Sequence, residues 1–188
     1  MSERIRSFIA LDVDDDNVLK RIGDVQHQLV SVGADLKLVE PQNIHATLRF
    51  LGDIPMGMVD KVYEVMKTVA FTPFEVEIRG LGAFPNLQHI NVIWTGITRG
   101  AIELRDIFNQ LEPKIRQLGF PPDSKGFSPH ITIARVKSGS GKAEIVRQLT
   151  SMKDYEFGAI KGDSLRLKKS TLTPKGPIYE CLREVKAV

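Results

Sequence analysis

Two short segments, "NIHATLRF" at 43–50 and "SPHITIAR" at 128–135, hold two of the four histidines of the chain. In each, a threonine follows the histidine after one residue, inside a run with the alternating polarity of a β-strand. Side chains alternate across a strand, so Ile44, Ala46, Leu48 and Phe50 are expected on one face and His45, Thr47 and Arg49 on the other. In the second segment Ile131 and Ile133 are expected to face the core, with His130 and Thr132 turned the opposite way. Both strands must bury one face against helices and leave imidazole and hydroxyl groups facing water or a ligand. Equivalent positions in two similar halves would bring the pairs together across a pseudo-twofold axis, placing two histidines and two hydroxyls around one cleft.

The remainder of the chain is consistent with such a repeat. "RSFIALDV" (6–13) has strand composition, and Val18, Ile22, Val25, Leu29 and Val32 then recur at the spacings of a helix buried on one face. Asp14, Asp15 and Asp16 are placed to cap that helix. After the first histidine strand, "GDIPMG" reads as a turn and Val59, Val62, Met66 and Val69 mark a second helix, followed by a strand over 74–84. The order restarts with a strand over 88–97 and a helix through Leu104, Ile107, Leu111, Ile115 and Leu118, which Pro113 is expected to bend. A loop "FPPDSKGFSP", the second histidine strand, a helix over 142–150 and a hairpin turning at Thr173 to Pro177 complete the chain. Interleaved helices and strands also fit a doubly wound parallel sheet, but neither G-x-G-x-x-G nor G-x-x-x-x-G-K-[ST] is present to support a nucleotide-binding version.

The single cysteine, Cys181, excludes an intrachain disulfide and any multi-cysteine metal site. With no signal-like opening and no run of about 18 apolar residues, the expectation is a cytoplasmic protein that makes no membrane contact. A net charge of +3 is compatible with a polyanionic partner and equally with an ordinary solubility surplus.

Near neutral pH one imidazole can act as a free base while the other carries a proton, and threonine hydroxyls can donate to nonbridging phosphate oxygens. This set suits phosphoester chemistry with no metal and no cofactor. A 2',3'-cyclic phosphate at an RNA end fits well, because its leaving oxygen belongs to a strained five-membered ring and water is the only nucleophile required.

The paired "HATL" (45–48) and "HITI" (130–133) resemble the two H-x-T-x signatures of the 2H phosphoesterase superfamily. The surroundings "HATLRFLG" and "SPHITIARV", with the opening "RSFIALDV", are similar to the RNA 2',3'-cyclic phosphodiesterase branch, also called LigT-like or 2'-5' RNA ligase proteins. The resemblance spans nearly the whole chain. It implies an α+β fold of two related lobes with antiparallel sheets and outer helices, arranged as a single bilobal domain over 1–188 with one histidine motif per lobe and the active cleft between the lobes. It also implies His45 as proton donor, His130 as proton acceptor, and Thr47 and Thr132 as phosphate ligands. The family places an arginine after the second motif, a position that Arg135 matches. Strict alternation puts Arg135 on the core side unless the strand bulges near Ala134, whereas Arg49 already shares the histidine face; both are candidate phosphate ligands. The implied substrate is RNA ending in a 2',3'-cyclic phosphate, tRNA halves included, opened to a 2'-phosphate; two lobes joined in one chain already build the cleft, so a monomer is expected.

Two alternative functions use the same features differently. ATP-independent 2'-5' joining of RNA ends reverses the ring-opening reaction at the same site, while a noncatalytic RNA-binding protein would use only the basic residues. "RLKKS" (166–170) and Lys175 would then guide a backbone, or serve as a solvated edge strand. A zinc site using Glu40 or Asp53 as a third ligand lacks the closely spaced histidine pair that anchors such sites. His27 and His89 read as surface and structural residues. Phe8, Phe84 and Phe127 read as core, with one of them placed to stack on a terminal base if it borders the cleft.

Overall fold

The computed structural model describes residues 3–188. Helix α1 (Asp16–Ser31) starts where the Asp15 carboxylate accepts the Val18 backbone N–H at 2.9 Å, and it buries Val18, Ile22, Val25 and Leu29. Helix α2 (Met58–Lys67) buries Val59, Val62 and Met66. Helix α3 (Ala101–Gln117) continues without a break through Pro113. Leu104, Ile107, Leu111 and Ile115 are all buried along it, at about 1.5–3 kcal/mol each, which together outweigh the roughly 3 kcal/mol cost of an internal proline. Helix α4 (Lys142–Ser151) is short and anchored by Ile145 and Leu149.

The strands are β1 (Arg4–Asp12), β2 (Leu36–Leu38), β3 (His45–Pro55), β4 (Phe74–Pro85), β5 (Ile90–Ile97), β6 (His130–Val136), β7 (Glu156–Gly162), β8 (Ser164–Thr173) and β9 (Gly176–Lys186). Every strand pairing is antiparallel, in the order β7-β4-β5-β6-β3-β1-β8-β9, with β2 added against β6. The doubly wound alternative is therefore excluded. The sheet divides into two halves, β3-β1-β8-β9 and β6-β5-β4-β7, joined by the one residue pair Ala46 and Ile131. Each half combines both repeats of the chain. The last strand of the first repeat, β4, pairs with β5, the opening strand of the second, and β8 returns to pair with β1. Each lobe thus needs a strand from the other repeat.

Two local features differ from the sequence expectation. "GDIP" is strand rather than turn, because β3 runs to Pro55 and pairs with Arg4–Ser7 after a bulge at Leu51, beside Gly52 with its φ of +73°. The three-residue strand β2 is too short to carry a readable period.

Candidate active site

Both histidine strands contain a bulge immediately after the motif. On β3, Ile9 faces Arg49 and Ala10 faces Thr47, so Leu48 is the extra residue. On β6, Ile93 faces Ala134 and Trp94 faces Thr132, so Ile133 is the extra residue. An extra residue reverses the alternation beyond it. Leu48 and Arg49 are consequently both buried, as are Ile133 and Ala134, while Phe50 and Arg135 return to the histidine face at equivalent positions.

This corrects the expectation for Arg49. It is only 6% exposed; its Nε bonds Glu112 Oε2 of α3 at 2.5 Å, and its other nitrogens donate to the Phe50 and Pro121 carbonyls. The structure does not bring Arg49 to the histidines. Arg135 meets the bulge condition and is exposed on their face.

The pair Ala46 and Ile131 lies one residue beyond each histidine, so the two motifs meet at the junction of the half-sheets. Continuing that antiparallel register by one residue in each direction sets His45 across from Thr132 and Thr47 across from His130. The two rings are held alike. His45 Nδ1–H donates to the Asn43 carbonyl at 2.7 Å, and His130 Nδ1–H donates to the Ser128 carbonyl at 2.7 Å. A carbonyl can only accept, so each neutral ring carries its proton on Nδ1 and presents Nε2 as the acceptor. The Thr47 hydroxyl donates to His45 Nε2 at 2.9 Å. Asn43 is itself fixed, since its side-chain amide donates to the Pro177 carbonyl at 3.0 Å.

Aromatic rings wall both imidazoles. Phe8 lies 4.9 Å from the His45 ring and Tyr179 lies 5.4 Å from it, edge-on. Phe84 meets His130 edge-on at 4.8 Å, with Trp94 at 6.4 Å. Gly82 makes room for Trp94, because a β-carbon there would enter the indole ring. Phe127 instead stacks on Phe108 at 4.9 Å, so of the three phenylalanines considered from sequence only Phe8 and Phe84 border the histidines. Sequence reasoning misses Tyr179; its strand pattern is ordinary, and only the return of β9 brings it to His45.

Burial lowers the pKa of His45 below the ordinary 6.5, opposed by the hydrogen bond to Asn43 and reinforced by the positive charge of Lys168. Burial likewise lowers that of His130, opposed by its bond to Ser128. Lys168 is buried, with Nζ 2.9 Å from both oxygens of Asp12, the residue facing His45 on β1, and Arg166 reaches the same carboxylate at 2.7 Å. Arg166 also bonds Glu184 at 3.1 Å, and Lys169 lies 3.6 Å from Glu180. The basic run at 166–170 is thus largely paired within the protein. Among the described residues no three His, Cys, Asp or Glu side chains gather as a metal site, and Glu40 and Asp53 do not join the histidines in one. His27 and His89 are exposed.

Trp94 is the one tryptophan of the chain and reports directly on His130. A protonated imidazole quenches a neighbouring indole, so the emission is expected to fall on acidification with a midpoint below pH 6.5. His130→Asn should abolish this titration; an unchanged titration in that variant would refute the contact.

A bilobal antiparallel α+β fold with two H-x-T motifs joined at its centre defines a 2H phosphoesterase. The chain belongs to the LigT like Phosphoesterase family, whose model matches it twice, over residues 13–94 and 98–179. It is 39% identical over 167 residues to the RNA 2',3'-cyclic phosphodiesterase of Aeropyrum pernix, covering 89% of this chain and 95% of that one. It is also 39% identical over 180 residues to the RNA 2',3'-cyclic phosphodiesterase of Archaeoglobus fulgidus, covering 95% and 98%. A crystal structure from Thermus thermophilus superposes with a TM-score of 0.81 at 26% identity, covering 97% of each chain. Escherichia coli LigT in its apo form shares the fold with a TM-score of 0.75 at 20% identity, covering 99% of each chain.

Proposed function

We propose that this protein hydrolyses the terminal 2',3'-cyclic phosphate of RNA to a 2'-phosphate by metal-independent acid/base catalysis between its two histidines. The observation that carries the reading is the matched pair of imidazoles at the junction of the half-sheets, each held through Nδ1 by the carbonyl two residues before it, so that proton exchange falls to Nε2, which in His45 also accepts the Thr47 hydroxyl. His130 Nε2 takes a proton from water, the water oxygen attacks phosphorus opposite the 3' oxygen, the P–O3' bond breaks, and protonated His45 gives its proton to that oxygen. A pKa below 6.5 keeps His130 a free base at neutral pH, and the same depression makes protonated His45 a stronger acid. Thr47, Thr132 and Arg135 hold the phosphate oxygens in this scheme. The names of the archaeal relatives support the RNA substrate, and tRNA halves that end in a 2',3'-cyclic phosphate are included in the proposed class.

A monomer suffices, because one chain supplies both motifs. No helix among the described residues is long and apolar enough to cross a membrane, and the cytoplasm is the proposed site of action. Purified protein treated with EDTA is expected to convert an oligonucleotide bearing a 2',3'-cyclic phosphate into the 2'-phosphate product, read by end-group analysis. An unopened ring, or a 3'-phosphate product, would overturn this reading. Supplying a 5'-hydroxyl end in the same reaction tests for joining, which needs the two ends held at high effective concentration to compete with water.

A further inference from the structure

The bulge at Leu48 has a second effect beyond removing Arg49 from the cleft. It turns Phe50, which strict alternation would bury, onto the histidine face, where it stands opposite Phe8 on β1 and remains 44% exposed. The Arg6 guanidinium lies over the Phe50 ring, 4.7 Å from its centre. Phe50 occupies the position on β3 that Arg135 occupies on β6, so the two sides of the cleft differ chemically: an exposed cation on one strand, an exposed aromatic with a cation over it on the other. Arg6 and Arg135 both act on the Tyr179 hydroxyl, opposing the rise in its pKa that burial imposes. Among the described residues neither arginine forms an ion pair, in contrast to Arg49, Arg166 and Arg183. An unpaired guanidinium group, that of Arg6, and an open aromatic face therefore continue the cleft from the histidines toward the Phe50 end of β3, while Arg135 extends it in the opposite direction along β6.

Given the proposed reaction, on which this inference rests, we infer that Phe50 and Arg6 form a subsite for the nucleotide immediately upstream of the cyclic end, with Phe50 stacking its base and Arg6 holding the intervening phosphate. A strand advances about 3.3 Å per residue, which places Phe50 roughly 15 Å from His45 along β3. The terminal ribose is bonded directly to the reacting phosphorus, so its own base stays nearer the histidines and the next base is the one that spans this gap. Aromatic side chains suit any base, because every base has a π-face, and an unpaired arginine next to one suits the connecting phosphate.

The test compares kcat/KM for a trinucleotide ending in a 2',3'-cyclic phosphate with that for 2',3'-cyclic AMP. Phe50→Leu, which keeps an apolar side chain but removes the π-face, is expected to lower the trinucleotide to mononucleotide ratio about tenfold, whereas Phe50→Trp retains it. Arg6→Gln should also lower the ratio, with a smaller loss at high salt. An unchanged ratio in Phe50→Leu, or an equal slowing of both substrates, overturns the subsite. If the wild-type protein opens neither substrate, the proposed reaction fails. The subsite is then judged by binding of a 2'-phosphorylated trinucleotide, and equal Kd for wild type and Phe50→Leu overturns it.

Discussion

His45→Ala and His130→Ala are each expected to reduce kcat/KM for ring opening by about 10²- to 10⁴-fold, the range over which a positioned general acid or base contributes. Neither loss can be made up by the remaining ring, because each Nε2 serves a different side of the phosphorus. The roles separate with a substrate whose 3' leaving oxygen is made much less basic. Such a substrate needs protonation less, so it should partly restore His45→Ala and leave His130→Ala impaired; the opposite pattern would exchange the assignments. The pH dependence follows from the same environment. His130 must be unprotonated and His45 protonated, and both pKa values lie below 6.5 in the free protein. The kcat/KM profile should therefore be a bell centred on the acid side of 6.5. The bound phosphate is an anion, which favours both imidazolium forms, so the kcat profile should move to higher pH. A profile flat from pH 5 to 8, or near-normal activity in both alanine variants, would remove the histidine mechanism.

The second large effect is on stability. Arg49 and Glu112 form a pair with side chains only 7% and 15% exposed, and Glu112 also accepts the Asp123 backbone N–H at 3.0 Å. Together with the Arg49 bond to the Pro121 carbonyl, this ties β3 to α3 and to the segment that leads into His130. Arg49→Ala leaves the Glu112 carboxylate with most of its solvation gone and its main partner lost, at a cost of about 3–5 kcal/mol. The urea midpoint should fall accordingly. Arg49→Met combined with Glu112→Leu should recover a large part of the loss, because it removes both charges together. A loss below about 1 kcal/mol in Arg49→Ala would show that this pair carries little of the stability.

Arg49 also shows where reading the sequence succeeds and where it stops. The helices were legible because burial at three- and four-residue spacing is a long-range average over many residues: Val18, Ile22, Val25 and Leu29 in α1, and Leu104, Ile107, Leu111 and Ile115 in α3, all lie in the core. The histidine strands were legible for the same reason over the first four residues of each. Beyond Thr47 and Thr132 the alternation reverses, and a bulge has no compositional mark in "TLRF" or "TIAR". One unmarked residue therefore interchanged the expected faces of Arg49 and Phe50. Tyr179 and Lys168 were unreadable as neighbours of His45 for a different reason. They come from β9 and β8, which reach β3 only through the exchange of final strands between repeats, a property of pairing topology with no local signal.

The single rung between Ala46 and Ile131 sets each histidine one residue from the seam of the half-sheets, while Arg49, Glu112 and Gln26 hold that seam from either side. Because β3 and β6 are antiparallel, Phe50 and Arg135 lie in opposite directions from that rung, each four residues beyond it along its own strand. The spacing of the two reacting groups is therefore set by the packing of two apolar side chains in the core, Ala46 and Ile131, and not by the loops that lead into the motifs.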